Sequence, residues 1–356
     1  MKSSPAQLGF RMPAEWEPHE ATWIAWPHCR ADWPGKFAAI PWVYTEIVRN
    51  LHQSELVRIL VNSAEHKKRA VRCLTRADIS LKRIEFFRFP TDRVWTRDYG
   101  PIFVTGKRGD VAITHWRFNA WAKYDNWKHD CRIPEKIAAA LELPRWQPAL
   151  GSKRVVLEGG SIDVNGRGLL LTTEECLLDS VQARNPNLSR EDLEEVFAEY
   201  LGIRKVLWLG RGIAGDDTHG HVDDLARFIG PRKVVTVVEE HTADENYALL
   251  QDNLRRLRDM TDVAGKPLEV VTLPMPGAIW FDGRRLPASY ANFYIANDHV
   301  LVPTFNDPYD STALGILAEH FPSRVVVGIH AVDLVWGLGT LHCLTQQQPA
   351  GQSLSD

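Results

Sequence analysis

The sequence predicts an α/β fold made of repeated units, each with a few short strands and a helix. The first observation is a set of four β-hairpin signals whose turns are separated by 59, 65 and 66 residues. The second is that helical patterns of apolar residues lie between these hairpins. The third is composition, since 44% hydrophobic and 24% charged residues in a chain of 356 are typical of one packed globular protein. A period near 60 residues favours α/β units repeated around an axis, and a chance recurrence of turns is the alternative.

Each hairpin signal consists of two β-rich runs around a turn rich in Gly, Pro or Asn. The paired runs are residues 102–105 with 111–113, 162–164 with 169–171, 226–229 with 234–237, and 293–295 with 300–302. Apolar residues at helical spacing predict helices over residues 133–141, 190–201 and 243–260. No low-complexity linker divides the sequence, so we expect one domain over residues 1–356.

Charge and composition exclude several classes of protein. The 42 basic and 45 acidic residues give a formal charge of −3, which argues against a general nucleic-acid binder. No apolar stretch is long enough for a membrane span, and the first ten residues lack the apolar region of a secretory signal. The five cysteines are odd in number and form no CxxC pair, so we expect a reducing cytoplasm rather than disulfides.

Four segments combine glycine with side chains that can carry chemistry. They are residues 93–101 (RVWTRDYGP), 157–161 (LEGGS), 216–224 (DDTHGHVDD) and 337–349 (GLGTLHCLTQQQP). Three of them place a carboxylate just before a predicted hairpin, namely Asp98, Glu158 and Asp223. If the units repeat around an axis, equivalent hairpin ends point to one centre. Because like charges gathered there are costly, that centre is expected to bind a cation.

A metal ion is one candidate for that cation. His219, His221 and Asp223 share a face if their segment is a strand, and they are ligand types that zinc accepts. No other histidine-rich segment supplies a distant ligand, however, and the sequence contains no HExxH motif. A zinc hydrolase therefore stays an alternative to a metal-free site.

Cys343 is the candidate nucleophile, because it follows a glycine-rich turn and lies among polar residues. A reactive thiolate needs a lowered pKa or a nearby base, and His221 can serve as that base. Glu158 can orient the imidazole, which completes a carboxylate–His–Cys set. The alternative for Cys343 is a small buried hydrophobic residue. His342 is expected to point to the opposite face if its segment is a strand.

In these four segments the chain resembles the agmatine deiminase family. That family is a branch of the guanidine-modifying (pentein) superfamily, and the branch also contains the bacterial peptidyl-arginine deiminase. The motifs are WxRDxGP, EGG, GHxD and a glycine-rich turn followed by HCxTQQxP, in that order. The resemblance spans about residues 12–349 and leaves tails at 1–11 and 350–356. It implies a five-bladed α/β propeller with a central site and one unit shared between the termini.

The resemblance also implies a role for each site residue, with no cofactor and no metal. Cys343 is the nucleophile, His221 the general acid and base, and Glu158 the acid that orients His221. Asp98 and Asp223 hold the guanidinium through charge-assisted hydrogen bonds. The thiolate attacks the guanidinium carbon, ammonia leaves, and water hydrolyses a covalent thiouronium intermediate to a ureido product.

The implied substrate is the small molecule agmatine, which would give N-carbamoylputrescine on the route to putrescine. Asp216 and Asp217 supply acids for the distal amine of agmatine, and Asp217 is the one that we expect to bind it. Trp95 could wall the alkyl chain, and Arg211 is the nearest candidate for binding a substrate carboxylate instead. A peptidyl-arginine or free-arginine deiminase, an amidinotransferase and a non-catalytic binding module are the alternatives. Nucleic acid and membranes are not expected partners, and a homo-oligomer is compatible with the sequence.

Three residues depart from the family pattern. Leu338 interrupts the glycine-rich turn before the cysteine, and Thr340 follows that turn. Asp224 stands where agmatine deiminases commonly have Asn. These departures leave the chemistry intact and keep the substrate open.

Overall fold

The computed structural model describes residues 3–351. The strands in this range are β1 His19–Ala25, β2 Leu56–Leu60, β3 Ile84–Phe87, β4 Ile102–Thr105, β5 Val111–Thr114, β6 Arg145–Trp146, β7 Ala149–Leu150, β8 Lys153–Arg154, β9 Asp163–Val164, β10 Leu169–Thr173, β11 Lys205–Leu209, β12 Ala226–Phe228, β13 Lys233–Val238, β14 Glu269–Pro274, β15 Trp280–Phe281, β16 Arg284–Arg285, β17 Tyr294–Ile295, β18 His299–Thr304, β19 Val325–His330 and β20 Gln346–Pro349. The α-helices are α1 Ile40–Leu51, α2 Ala64–Arg76, α3 Thr96–Tyr99, α4 Ile133–Ala140, α5 Glu174–Leu178, α6 Arg190–Leu201, α7 Asn246–Asp259 and α8 Asp310–His320. The predicted α/β class is confirmed.

Five sheets share one pattern of connections. In strand order they are β20-β1-β2-β3, β4-β5-β6, β9-β10-β11, β12-β13-β14 and β17-β18-β19. Each begins with an antiparallel pair and continues with parallel pairing. Helices connect the parallel strands, as a crossover between parallel neighbours requires. The four predicted hairpins are therefore confirmed as the antiparallel pairs of four of these sheets.

The remaining sheet joins the two ends of the described chain. Strand β20, near the C-terminus, pairs antiparallel with β1, near the N-terminus, and Trp23 lies opposite Gln346. Before β1, the backbone of Arg11 exchanges hydrogen bonds of 3.0 and 2.8 Å with Thr105. The described part of the predicted N-terminal tail is thus attached to the second sheet. Of the C-terminal tail, residues 352–356 lie outside the described residues.

The three predicted helices form, and the largest difference in a boundary is at the start of α7. Helix α6 starts where expected because Ser189 and Asp192 make reciprocal hydrogen bonds in a capping box. Helix α4 matches its prediction to within one residue. Helix α7 begins at Asn246 instead of residue 243, because the Asp244 carboxylate accepts the Asn246 N–H at 2.8 Å and holds a turn before the helix.

Buried apolar side chains fill the space between the sheets and their helices in two clusters. Strand β10 has no exposed residue, as expected for a strand that is covered on both faces. No helix within residues 3–351 combines the length and the apolar character needed to cross a bilayer. The polar residues of the four motif segments lie where chain segments enter the antiparallel pairs.

Candidate active site

Three acids predicted to converge do so around one imidazole. His221 precedes the single-turn 3-10 helix Val222–Asp224. Its Nε2 lies 3.7 Å from Glu158 Oε2, and its Nδ1 lies 3.8 Å from Asp98 Oδ1 and 4.0 Å from Asp223 Oδ1. All four side chains are buried. The ends of three different hairpins thus meet in one polar centre inside the fold.

The EGG motif allows this close approach because its glycines have no Cβ. A Cβ on Gly160 would lie 2.6 Å from His221 Nδ1 and 2.8 Å from Asp98 Oδ1. A Cβ on Gly159 would lie 2.3 Å from the carbonyl oxygen of Arg97. Any other residue at 160 would push the acid or the imidazole away, and any other residue at 159 would push away the backbone of Arg97.

Asp98 ends up in a buried position with only two hydrogen-bond donors. Trp121 donates its Nε1–H to Oδ2 at 3.0 Å, and Gly160 donates its backbone N–H to Oδ1 at 3.2 Å. Burial raises the pKa of Asp98 to about 7, with His221 opposing the rise and the charges of Asp223 and Glu158 adding to it. In an empty site this carboxylate is therefore electrostatically unfavourable when ionised.

In Glu158 and His221, neighbouring groups outweigh the effect of burial on the pKa. Arg184 donates its Nε–H to both Glu158 oxygens at 3.2 and 3.3 Å. Burial by itself would raise the pKa of Glu158, but Arg184 and His221 outweigh it and hold that pKa below its usual value. Burial would also lower the pKa of His221, yet Asp98, Cys176 and Glu158 outweigh burial and raise it well above its usual value. This environment therefore favours the protonated form of the His221 imidazole.

His342 holds Asp223 from behind. Its Nδ1 lies 2.6 Å from Asp223 Oδ2, and its Nε2 lies 2.8 Å from Glu15 Oε2. Burial would raise the pKa of Asp223, but the His342 hydrogen bond outweighs it and lowers that pKa. The expectation that His342 points away is wrong, because residues 341–344 form a turn and adjacent side chains there do not alternate. Asp223 Oδ1 has no hydrogen-bond partner among the described residues and is free to bind a ligand.

Cys343 reaches the same centre from the turn before β20. Its Sγ lies 3.8 Å from Asp223 Oδ2 and accepts a hydrogen bond from Asn292 Nδ2 at 3.1 Å. Burial, followed by the charges of Asp223, Asp224 and Asp98, raises the pKa of the Cys343 thiol well above its usual value. These surroundings therefore favour the neutral thiol over the thiolate.

A small cavity of about 40 Å³ adjoins Cys343 and Asp98. Its other lining residues include Trp95, Trp121, Tyr124, Asp217 and Leu338. The aromatic rings form an apolar wall beside the acids, a combination suited to a cation with an aliphatic chain.

The acids proposed for the far end of the substrate differ in position. Asp217 lines the cavity, where Lys123 Nζ lies 2.5 Å from its Oδ1 and the Tyr124 hydroxyl donates to its Oδ2 at 2.7 Å. Asp216 instead accepts backbone N–H bonds from Thr218, Gly220 and His221, and so it stabilises the turn. Arg211 pairs with Glu175 at 3.3 Å, its side chain is 79% exposed, and it does not line the cavity.

The zinc set considered from sequence is not assembled. His219 has a left-handed φ of 63°, and its Nε2 lies 3.6 Å from Asp179, away from His221. Among residues 3–351, the ligand atoms close enough to share an ion belong to Glu158, Cys176 and His221. The Arg184 guanidinium already neutralises Glu158 there, which disfavours a second cation.

Several buried residues that sequence reasoning missed complete the centre: Glu15, Trp121, Cys176, Arg184 and Asn292. A signal existed for Asn292, because it precedes the fourth hairpin just as Asp98, Glu158 and Asp223 precede the others. Trp121 had no such signal, since it reaches Asp98 through three consecutive left-handed residues, 120–122, that no local pattern indicates. Cys176 is buried beside His221 and Glu158.

Comparison with known proteins places this geometry in a family. Residues 11–349 match the family of Porphyromonas-type peptidyl-arginine deiminases. The chain is 36% identical to the agmatine deiminase of Ectopseudomonas mendocina, over 99% of each protein. The solved agmatine deiminase of Enterococcus faecalis superposes with a TM-score of 0.89 at 34% identity, covering 98% of each chain. A cysteine-to-serine variant of the C. jejuni agmatine deiminase, solved with substrate bound, gives a TM-score of 0.85 at 28% identity, covering 96% of this chain and 97% of that one. The chain belongs to the family of Porphyromonas-type peptidyl-arginine deiminases.

Proposed function

We propose that this chain is an agmatine deiminase, which hydrolyses the guanidinium group of agmatine to N-carbamoylputrescine and ammonia. The observation that carries the proposal is the meeting of Cys343, His221, Asp98, Glu158 and Asp223 in one buried centre. Full-length relatives named agmatine deiminases support the choice of reaction.

Asp98 and Asp223 are proposed to clamp the guanidinium. Each presents a buried carboxylate near the sulfur, and Asp223 Oδ1 is unpaired among the described residues. A planar guanidinium between them can donate paired N–H bonds to each carboxylate, the fork geometry that makes guanidinium–carboxylate pairs strong. Its positive charge also offsets the acids that disfavour a thiolate at Cys343. Substrate binding therefore favours release of the Cys343 thiol proton to solvent, which generates the nucleophile.

Cys343 and His221 then carry the covalent steps. The thiolate forms a bond to the guanidinium carbon, His221 gives its proton to the leaving nitrogen, the C–N bond breaks, and ammonia leaves. A water molecule loses a proton to the now neutral His221 and attacks the thiouronium carbon. The C–S bond breaks, the departing sulfur takes the remaining hydroxyl proton and becomes a thiol again, and the neutral ureido product forms. Glu158, fixed by Arg184, orients the imidazole through both steps.

Asp217 is proposed to bind the distal amine of agmatine, with Trp95 beside the alkyl chain. The amine would either share the Asp217 carboxylate with Lys123, whose Nζ lies 2.5 Å from Asp217 Oδ1, or replace Lys123 there. The second candidate is a free-arginine deiminase, because Lys123 and Arg284 both lie near Asp217 and could pair with a substrate carboxylate. A matched pair of substrates therefore separates the two.

We also propose that the five sheets are the blades of a five-bladed α/β propeller that forms one catalytic domain. Their shared connections support this arrangement, and so does the meeting of three of their hairpin ends at His221. The β1–β20 pairing supports a blade shared by the two ends of the domain. A reducing compartment such as the cytoplasm is proposed because all five cysteines are unpaired.

The test is to incubate the purified protein separately with agmatine, free arginine and a blocked arginyl peptide. Ammonia and ureido product are measured from each, with Cys343→Ala as the blank. Agmatine should have the highest kcat/KM, and Asp217→Asn should lower kcat/KM for agmatine more than for arginine. A preference for arginine would select the second candidate, and no ammonia from any substrate would refute a deiminase.

A further inference from the structure

Asn292 lies against the reactive sulfur, although no motif that identified the site contains it. It is fully buried in the segment that leads into β17, just as Asp98, Glu158 and Asp223 are buried in the segments that lead into three other hairpins. Its two amide N–H groups have separate partners. Nδ2 lies 3.1 Å from Cys343 Sγ and 2.9 Å from Asp224 Oδ1.

The orientation of this amide is fixed by what surrounds its oxygen. The backbone N–H of His342, which can only donate, lies 3.0 Å from Asn292 Oδ1. The Thr340 hydroxyl donates to the same oxygen at 2.7 Å. The backbone N–H of Cys343 also lies 3.4 Å from this oxygen. Exchanging Oδ1 with Nδ2 would place the two backbone N–H groups against a donor, so the N–H groups of Asn292 face the sulfur and Asp224. Donation to the amide oxygen also polarises the amide and strengthens its N–H groups as donors.

The charges around Cys343 explain why a neutral donor is suited to this place. The carboxyl groups of Asp98, Asp223 and Asp224 face the sulfur, and Tyr44 also lies within its electrostatic reach. Despite burial, the pKa of Asp223 is lowered by its His342 hydrogen bond. Burial raises the pKa of Asp98 to about 7 and that of Asp224 well above its usual value. A Lys or Arg could stabilise a thiolate here, but its charge would repel the cationic substrate from the acids. An amide N–H stabilises the anion without adding net charge.

We propose that Asn292 is a further catalytic residue, which donates a hydrogen bond from Nδ2 to the Cys343 thiolate and fixes Sγ beside Asp223. This role rests on the proposed function only in taking Cys343 as the nucleophile. Asp224, at the position where Asn was expected, accepts the second N–H and holds the amide in place. Thr340, another residue that departs from the family pattern, donates a hydrogen bond to the amide oxygen.

The test measures the Cys343 thiolate directly in the substrate-free protein. Its ultraviolet absorbance is followed against pH, with Cys343→Ala subtracted, and its alkylation by iodoacetamide is timed by mass spectrometry. In Asn292→Ala the alkylation rate at pH about 8 should fall about tenfold or more, as expected for losing a hydrogen bond to a charged group. In Asn292→Asp it should fall further, because a negative charge replaces the donor.

Steady-state kinetics give a second readout. Asn292→Ala should lower kcat with agmatine about tenfold or more and leave KM within about twofold, because Asn292 contacts the sulfur and not Asp98. The matched control is Asn253→Ala, which removes an equally buried amide that bonds only Gly210 and Arg211 backbone atoms. That variant should change neither the alkylation rate nor kcat.

Folding of each variant is checked by circular dichroism and thermal melting. If Asn292→Ala does not fold, Thr340→Val tests the same donor, since it frees the amide oxygen and should slow alkylation about threefold or more. The proposal would be overturned if the folded variant, Asn292→Ala or Thr340→Val, were alkylated at the same rate as Asn253→Ala. If the wild type fails to deiminate agmatine but Asn292 still controls alkylation, the proposed function fails and this role stands.

Discussion

The charge of Asp98 should make the empty protein less stable as pH rises, and Asp98→Asn should reverse this. Burial raises the pKa of Asp98 from 3.8 to about 7. A folded-state pKa above the unfolded value contributes stability that is complete below the unfolded pKa and is lost as pH rises through the folded pKa. Three pKa units at about 1.4 kcal/mol each correspond to about 4 kcal/mol, which is lost between pH about 4 and about 8.

The substitution also has a cost that does not depend on pH. Asp98 accepts one bond from Trp121 and one from Gly160. An Asn side chain has one acceptor oxygen, so one of these donors loses its partner, at a cost of about 1–3 kcal/mol. Asp98→Asn should therefore be less stable than the wild type at pH about 4 and more stable, by about 1–3 kcal/mol, at pH about 8.

The assay is thermal melting of the substrate-free protein at both pH values, with agmatine kinetics on the same samples. The transition-state stabilisation calculated from kcat/KM should fall by at least about 2 kcal/mol, because half of the guanidinium clamp has lost its charge. Glu158→Gln is the control of opposite sign. The pKa of the wild-type Glu158 carboxyl is held low, so its contribution to folding stability is present above the unfolded pKa and is lost as pH falls. A stability difference for Asp98→Asn that is equal at both pH values, with unchanged kinetics, would refute the clamp.

Three further predictions concern the nucleophile, its base and metal. Cys343→Ala should lower turnover at least ~100-fold with an intact fold, whereas Cys73→Ser should keep full activity; residual activity above that level would exclude Cys343 as nucleophile. Arg184→Met should raise the pKa of Glu158, moving the acid limb of the pH–kcat/KM profile upward; an unmoved limb contradicts the orienting role. Exhaustive chelation should leave activity unchanged, and loss with release of stoichiometric metal would favour a site at Glu158, Cys176 and His221.

The rule that a polar site residue precedes each hairpin predicted most of the centre, because a repeated unit places equivalent chain segments at equivalent points. It located Asp98, Glu158 and Asp223, and applied to the fourth hairpin it also indicates Asn292. The rule could not give the partners that set each charge. Arg184 and Glu158 are 26 residues apart in sequence, and Glu15 and His342 are 327 apart. Such pairs depend on which loops the fold brings together.

Local sequence determined the α/β class, the four hairpins and the boundaries of α6, since each depends on turn residues, capping side chains and periodicity within a few positions. It also identified Cys343 and His221 through their glycine-rich surroundings. The protonation of the site was decided only by tertiary structure. Asp98 and Glu158 are both buried acids before a hairpin, yet one pKa is raised and the other lowered. The difference arises because Arg184 reaches Glu158 while Asp98 meets neutral donors, and the energy of a buried charge depends on its neighbours in space.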